Sequence, residues 1–157
     1  MASAKRNLSR VFIRLVSTAL IALSSAGAFA SGPLEEANKK LVLEFHAVVL
    51  NGKNADAAPK YVAENYIQHN PRVPNGLAGL QGFVRELSRN SQDARVTIKR
   101  VIAEGDLVVL HSHMQRSSQE RGSVLVDIFR VENGKLAEHW DVLQPIPESS
   151  VSGNGML

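Results

Sequence analysis

The stretch from Val124 to Leu143 constrains the fold more than any other part of the chain. VLVDIFRV alternates around apolar positions, ENGK interrupts it and LAEHWDVL follows, so two antiparallel strands joined by a tight glycine-containing loop are expected. Side chains alternate faces along a strand, and a slip of one residue exchanges the faces, so the loop decides which residues stand together. A two-residue turn at Asn133-Gly134 pairs Val131 with Leu136 and puts Asp127 on the face of Trp140. A three-residue loop, Glu132-Asn133-Gly134 with Gly134 left-handed, pairs Val131 with Lys135 and Asp127 with His139. The three-residue loop separates the two faces better and is the expected register. One face then carries Leu125, Asp127, Phe129, Ala137, His139, Asp141 and Leu143, an apolar wall holding three ionisable groups. The other carries Val124, Val126, Ile128, Trp140 and Val142, a packing surface.

Residues 1–30 read as a cleaved signal peptide. Lys5, Arg6, Arg10 and Arg14 form a basic region, Leu15 to Leu23 is an apolar run too short to span a bilayer, and Ala28-Phe29-Ala30 fits the small-x-small rule for cleavage after Ala30. A periplasmic or secreted protein, free of the membrane after cleavage, is the expectation. The leader takes four basic residues and no acidic one, leaving 14 Lys and Arg against 15 Asp and Glu, so the basic balance of the whole chain gives no argument for nucleic acid. The absence of cysteine excludes disulfides, thiolate chemistry, zinc ribbons and a lipid-modified N-terminal cysteine. What remains suits one domain, residues 31–148, large enough for a core and a small-molecule cavity, followed by a mobile polar tail at 149–157.

Leu34, Ala37, Leu41, Phe45, Val48 and Val49 recur at helical spacing, and Asn51-Gly52 stops that helix. A second helix is expected from about Ala55 to Glu64, a short extended element over Tyr66-Ile67-Gln68-His69-Asn70-Pro71, and a third helix from about Leu77 to Asn90. After Arg95 the pattern is strands: Val96 to Ala103, Leu107 to Gln115, and the final hairpin. Helices first and an antiparallel meander afterwards is an α+β arrangement, with N-terminal helices covering a curved antiparallel sheet and enclosing a cavity.

Asp127 interrupts an otherwise apolar strand, where an unpaired carboxylate is costly to bury, so it needs a partner. His139 is that partner in the expected register, and Asp141 shares its face. Asp127, His139 and Asp141 are therefore the candidate acid/base residues. A structural Asp-His pair, or a solvated carboxylate facing the cavity mouth, is the bland alternative. His69 and Asn70, where strand gives way to a Pro/Gly loop, are placed to polarise a carbonyl. His111 and Phe129 are expected to line the site with Tyr66. Gly105, His111 and His113 reproduce the opening of the cupin metal motif, but the glutamate it needs is missing, so no metal is expected. His46, in mid-helix, is read as a core or partly exposed residue.

With YIQHNP at Tyr66 to Pro71 and VDIFRVENGKLAEHWDVLQPIP at Val126 to Pro147, the chain resembles the SnoaL-like branch of the NTF2-like superfamily. The resemblance spans about Leu34 to Pro147 and is strongest to predicted SnoaL-like aldol-condensation-catalysing enzymes. It implies a cone-shaped α+β barrel with an apolar cavity, dimeric, working without metal or organic cofactor. It also implies that a carboxylate of the cavity makes and protonates an enolate, as in polyketide cyclases; that role falls to Asp141, with Asp127 beside it. Against ketosteroid isomerases of the same superfamily, Asp127 in VDIFRV matches the protonated oxyanion-hole aspartate. Their base falls at Asn70 and their oxyanion tyrosine at Phe45, which argues against steroid isomerisation.

The function expected is thus exported acid/base chemistry on a small apolar carbonyl compound. A non-catalytic module binding an apolar ligand or a partner protein is the alternative. The apolar outer face of the hairpin implies a homodimer.

Overall fold

The structure is a computed structural model that describes residues 32–157; the signal-peptide reading falls on residues 1–30, outside the described residues. Helix α1, Pro33–Phe45, starts with proline at its first turn and carries Glu35 and Glu36 there, where negative charge suits the helix dipole. It continues as a π-helical segment, His46–Asn51, before Gly52 ends it. Asn38, Val42, Phe45, His46 and Val49 form the buried stripe of this continuous helix.

Asn54 then caps a single 3₁₀ turn, Ala55–Ala57, by accepting from the Ala57 N–H at 3.1 Å. Helix α2 is only Ala58–Tyr61, and strand β1 runs Val62–Gln68. The expected second helix is therefore shorter than its apolar spacing suggested, and the extended element starts earlier. The reason is long-range: β1 pairs in parallel with the last strand, Val62 opposite Leu136 and Gln68 opposite His139. Helix α3 is Gly76–Asn90, and the meander follows as β2 Arg95–Glu104, β3 Leu107–Gln115, β4 Ser123–Glu132 and β5 Lys135–Pro145.

The sheet order is β1-β5-β4-β3-β2, antiparallel except for β1 with β5. It curls without closing into a barrel. One-residue insertions at Lys99 in β2 and Ala137 in β5 add bend and twist. Helix α1 lies against β2 and β3 and α3 against β1, so the helices cover the concave face. Val42, Phe45 and Val49 from the first helix meet Leu80 and Val84 from α3 and Leu110, Phe129 and Leu136 from the sheet. Each such fully buried side chain contributes about 1.5–3 kcal/mol.

The hairpin register differs from the three-residue loop expected. Glu132 pairs with Lys135 around a two-residue turn, with φ of 52° at Asn133 and 71° at Gly134, the left-handed pair that follows strand twist. Val131 then faces Leu136, but Arg130 faces Glu138, so Ala137 is an extra residue in β5. That bulge shifts the phase by one residue and restores the expected faces. Asp127, Phe129, His139 and Asp141 stand on the concave side after all, with Asp127 directly opposite Asp141 and Phe129 opposite His139.

Candidate active site

Between helices and sheet lies a cavity of about 290 Å³, close to the size of small-molecule sites. Its walls are apolar, with Leu80, Phe83 and Leu87 from α3 facing Met114, Leu125 and Leu143 from the sheet. On its floor His46, Tyr66, Asp127 and His139 are all buried, with Gln68, Asn70 and Asp141 beside them.

Asp127 and His139 form the expected pair, with His139 Nε2 and Asp127 Oδ1 3.0 Å apart. On its other side the imidazole meets Gln68, with Nδ1 2.9 Å from Oε1. The same Oε1 accepts the Asn70 backbone N–H at 2.8 Å. A backbone N–H can only donate, so this Gln68 atom is the carbonyl oxygen and His139 Nδ1 is a donor. The contact between His139 Nε2 and Asp127 consequently holds one bridging proton. Burial alone would raise the Asp127 carboxyl, but hydrogen bonding to His139 and the neighbouring His46 outweigh it and hold it below its ordinary value of 3.8.

Asp141 faces the same space, and Asn70 Nδ2 donates to its Oδ2 at 2.6 Å. The amide is oriented by its own Oδ1, which accepts the Arg72 N–H at 2.8 Å. Asp127, His139 and Asp141 present side-chain N and O atoms within 4.8 Å of one another, a spacing that a cation could also bridge. Tyr66 is 2% exposed. Burial first, then the charges of Asp127 and Asp141, push its hydroxyl far above the ordinary tyrosine range, so it remains a neutral donor. Phe129 stacks on the His139 ring at 4.6 Å between centroids, fixing the plane of the imidazole.

Asp127, His139, Asp141, Asn70, Tyr66 and Phe129 therefore converge as the sequence suggested. His69 and His111 do not. His69 turns to the convex side, stacked on Trp140 with rings 4.8 Å apart and bound to Glu138 at 2.8 Å. Its backbone follows β1 past the sheet edge, and alternation sends its neighbours Gln68 and Asn70 inward instead. His111 pairs with Val126 on that same convex side, and its Nδ1 accepts from Arg100 Nη1 at 2.8 Å. His113 also lies outside, donating from Nε2 to the Arg121 carbonyl at 2.6 Å. The two do not share a site with the floor carboxylates.

His46 is the residue that sequence reasoning missed. It is 1% exposed, its Nε2 lies 3.6 Å from Asp127 Oδ2, and neither ring nitrogen has a hydrogen-bond partner among the described residues. A polar residue on the buried stripe of an amphipathic helix was the available signal. Gln68, inside YIQHNP, was the other missed contributor.

The SnoaL-like domain family matches residues 42–139. The chain belongs to the SnoaL-like domain family. Among solved structures, TsrD from Streptomyces laurentii superposes with a TM-score of 0.59 at 23% identity, covering 69% of this chain and 88% of that one. A protein named after the SnoaL-like polyketide cyclases, from Jannaschia sp. CCS1, gives 0.62 at 17% identity, covering 74% and 91%. One named after the ketosteroid isomerases, from Kribbella flavida DSM 17836, gives 0.63 at 19%, covering 74% and 84%. At these identities the likeness establishes the NTF2-like fold. A search of curated proteins returned no match. This SnoaL-like chain thus has the fold of a group containing cyclase- and isomerase-type proteins and ligand-binding ones.

Proposed function

We propose that the chain is an enolising enzyme that applies acid/base chemistry to a small apolar carbonyl compound, by aldol or related enolate steps. The observation that carries this reading is the convergence of Asp127, His139 and Asp141 on the floor of an apolar-walled cavity. The substrate carbonyl oxygen takes the Tyr66 hydroxyl as its donor, beside the hydrogen-bonded Asp127–His139 pair. Asp141, steadied by Asn70, removes the proton next to the carbonyl. The resulting enolate carbon attacks a second carbonyl or takes the proton back from Asp141.

Proton exchange into ketones in deuterated buffer, followed by NMR, tests the first step directly. Asp141→Asn and Asp127→Asn should each slow exchange by about 10²–10⁴-fold. Exchange no faster than in buffer alone, or unaffected by both substitutions, would overturn the reading. The fully bonded His139 favours a second reading, a binding module in which Asp127 and His139 are structural. That reading predicts ligand affinity without exchange. Export through the N-terminal segment and a homodimer on the convex sheet face complete the proposal.

A further inference from the structure

The cavity mouth carries a chemistry that its floor does not explain. Arg95 opens β2 and Arg116 follows the last residue of β3; Arg95 pairs with Gln115, which brings both to the same end of the sheet. Arg72 joins the same cavity from the loop between β1 and α3, two residues after the Asn70 that holds Asp141. All three line the cavity, and among the described residues its only acidic lining residues are Asp127 and Asp141 on the floor.

These guanidiniums differ from the others among the described residues. Arg85, Arg89, Arg121 and Arg130 each meet a carboxylate, and Arg100 meets His111. Among the described residues no hydrogen bond or ion pair engages the side chains of Arg72, Arg95 or Arg116. Glu120, four residues after Arg116, accepts the Arg116 backbone N–H with its carboxylate. Residues 31–157 are close to neutral, so three unpaired cations around one opening are a local concentration of charge.

We infer that the mouth is an anion subsite and that the substrate is an amphipathic acid, with an apolar carbonyl-bearing body in the cavity and a carboxylate or similar anion at the rim. Guanidinium forks suit such planar anions, and an apolar wall between rim and floor holds the intervening carbon skeleton. The inference deepens the enolising reading and rests on the cavity being a substrate site.

Binding separates the two. Naphthalene-2-acetate and naphthalene-2-acetamide have the same shape and differ in charge, and calorimetric titration of the purified chain at low and high salt compares them. The acetate should bind about tenfold more tightly at low salt, from three solvent-exposed charge contacts. That advantage should shrink at high salt. In the triple variant Arg72→Gln, Arg95→Gln, Arg116→Gln the acetate should fall to the affinity of the amide, and the amide should be unchanged. Equal affinity of the two probes for the unaltered chain, or an acid preference that survives the triple substitution, would overturn the subsite and leave the floor chemistry standing. Failure of both probes to bind would sink the cavity reading and the subsite together. Ketone exchange that disappears in Asp141→Asn, alongside equal affinities, would confine the failure to the subsite.

Discussion

At the scale of single residues, Asp127 sets the behaviour of the site. Its carboxyl is held below the ordinary 3.8 against the opposing effect of burial, because His139 and His46 favour the charged form. A group whose folded value is depressed contributes stability in full above its unfolded value and loses it as pH falls toward the folded one. The unfolded chain takes up this proton first, so the fold should weaken in acid below about pH 4. Urea titrations at stepped pH should show that acid limb flattened in Asp127→Asn. His46→Leu removes one of the groups that lower the carboxyl and should give an intermediate slope; an unchanged limb in both variants would assign acid sensitivity elsewhere. His46 also explains how the site was only partly legible. Asp127, His139 and Asp141 stood out because an acid on an apolar strand requires a partner. A histidine in mid-helix raises no such demand until the strand that packs against it is known. His69 failed for the opposite reason: its position before Pro71 was read correctly, but only the sheet edge decides which of His69 and Asn70 turns inward.

Elements of secondary structure were legible wherever pairing is local. Helix α3 and the four-strand meander follow from periodicity, whereas the start of β1 depends on a strand more than seventy positions away in sequence. The hairpin is the instructive case, because the turn and the bulge err in compensating directions when read separately. Asn133-Gly134 is the stronger turn signal, yet taken alone it places Trp140 beside Asp127; Ala137 corrects it, and nothing in the composition of LAEHW marks a bulge. Glycine conformation gives a test at this scale. A Cβ on Gly134 meets nothing within 4 Å, so Gly134→Ala carries only the cost of a left-handed backbone, about 1–2 kcal/mol. At Gly122, with φ of 75°, a Cβ would stand 2.2 Å from the Met114 carbonyl oxygen, so strain and collision add. Denaturant midpoints should therefore fall further for Gly122→Ala than for Gly134→Ala, and the reverse order would refute the steric account.

For the whole molecule, the proposed homodimer rests on the convex face. Val142 is 69% exposed, while Val126, Ile128 and Trp140 are half-buried and Val124 is buried. The Arg130, Glu138 and His69 network lies among them, so the surface is less uniformly apolar than the hairpin sequence alone implied. Among the described residues no helix is long and apolar enough to cross a membrane. If this face forms the proposed homodimer, Val142→Asp should convert a dimer to a monomer in sedimentation at micromolar concentration, with ligand binding in the cavity retained. A chain that sediments as a monomer before substitution would reject the dimer. The inserted residue at Ala137 has a consequence beyond this molecule. It works as a phase-setter, so a gap-free comparison with a relative lacking that residue would shift every position from Glu138 onward by one and set Glu138, not His139, against the relative's floor position. Families built on such hairpins should accordingly be aligned by the pleat, with the gap placed in the strand and not in the loop.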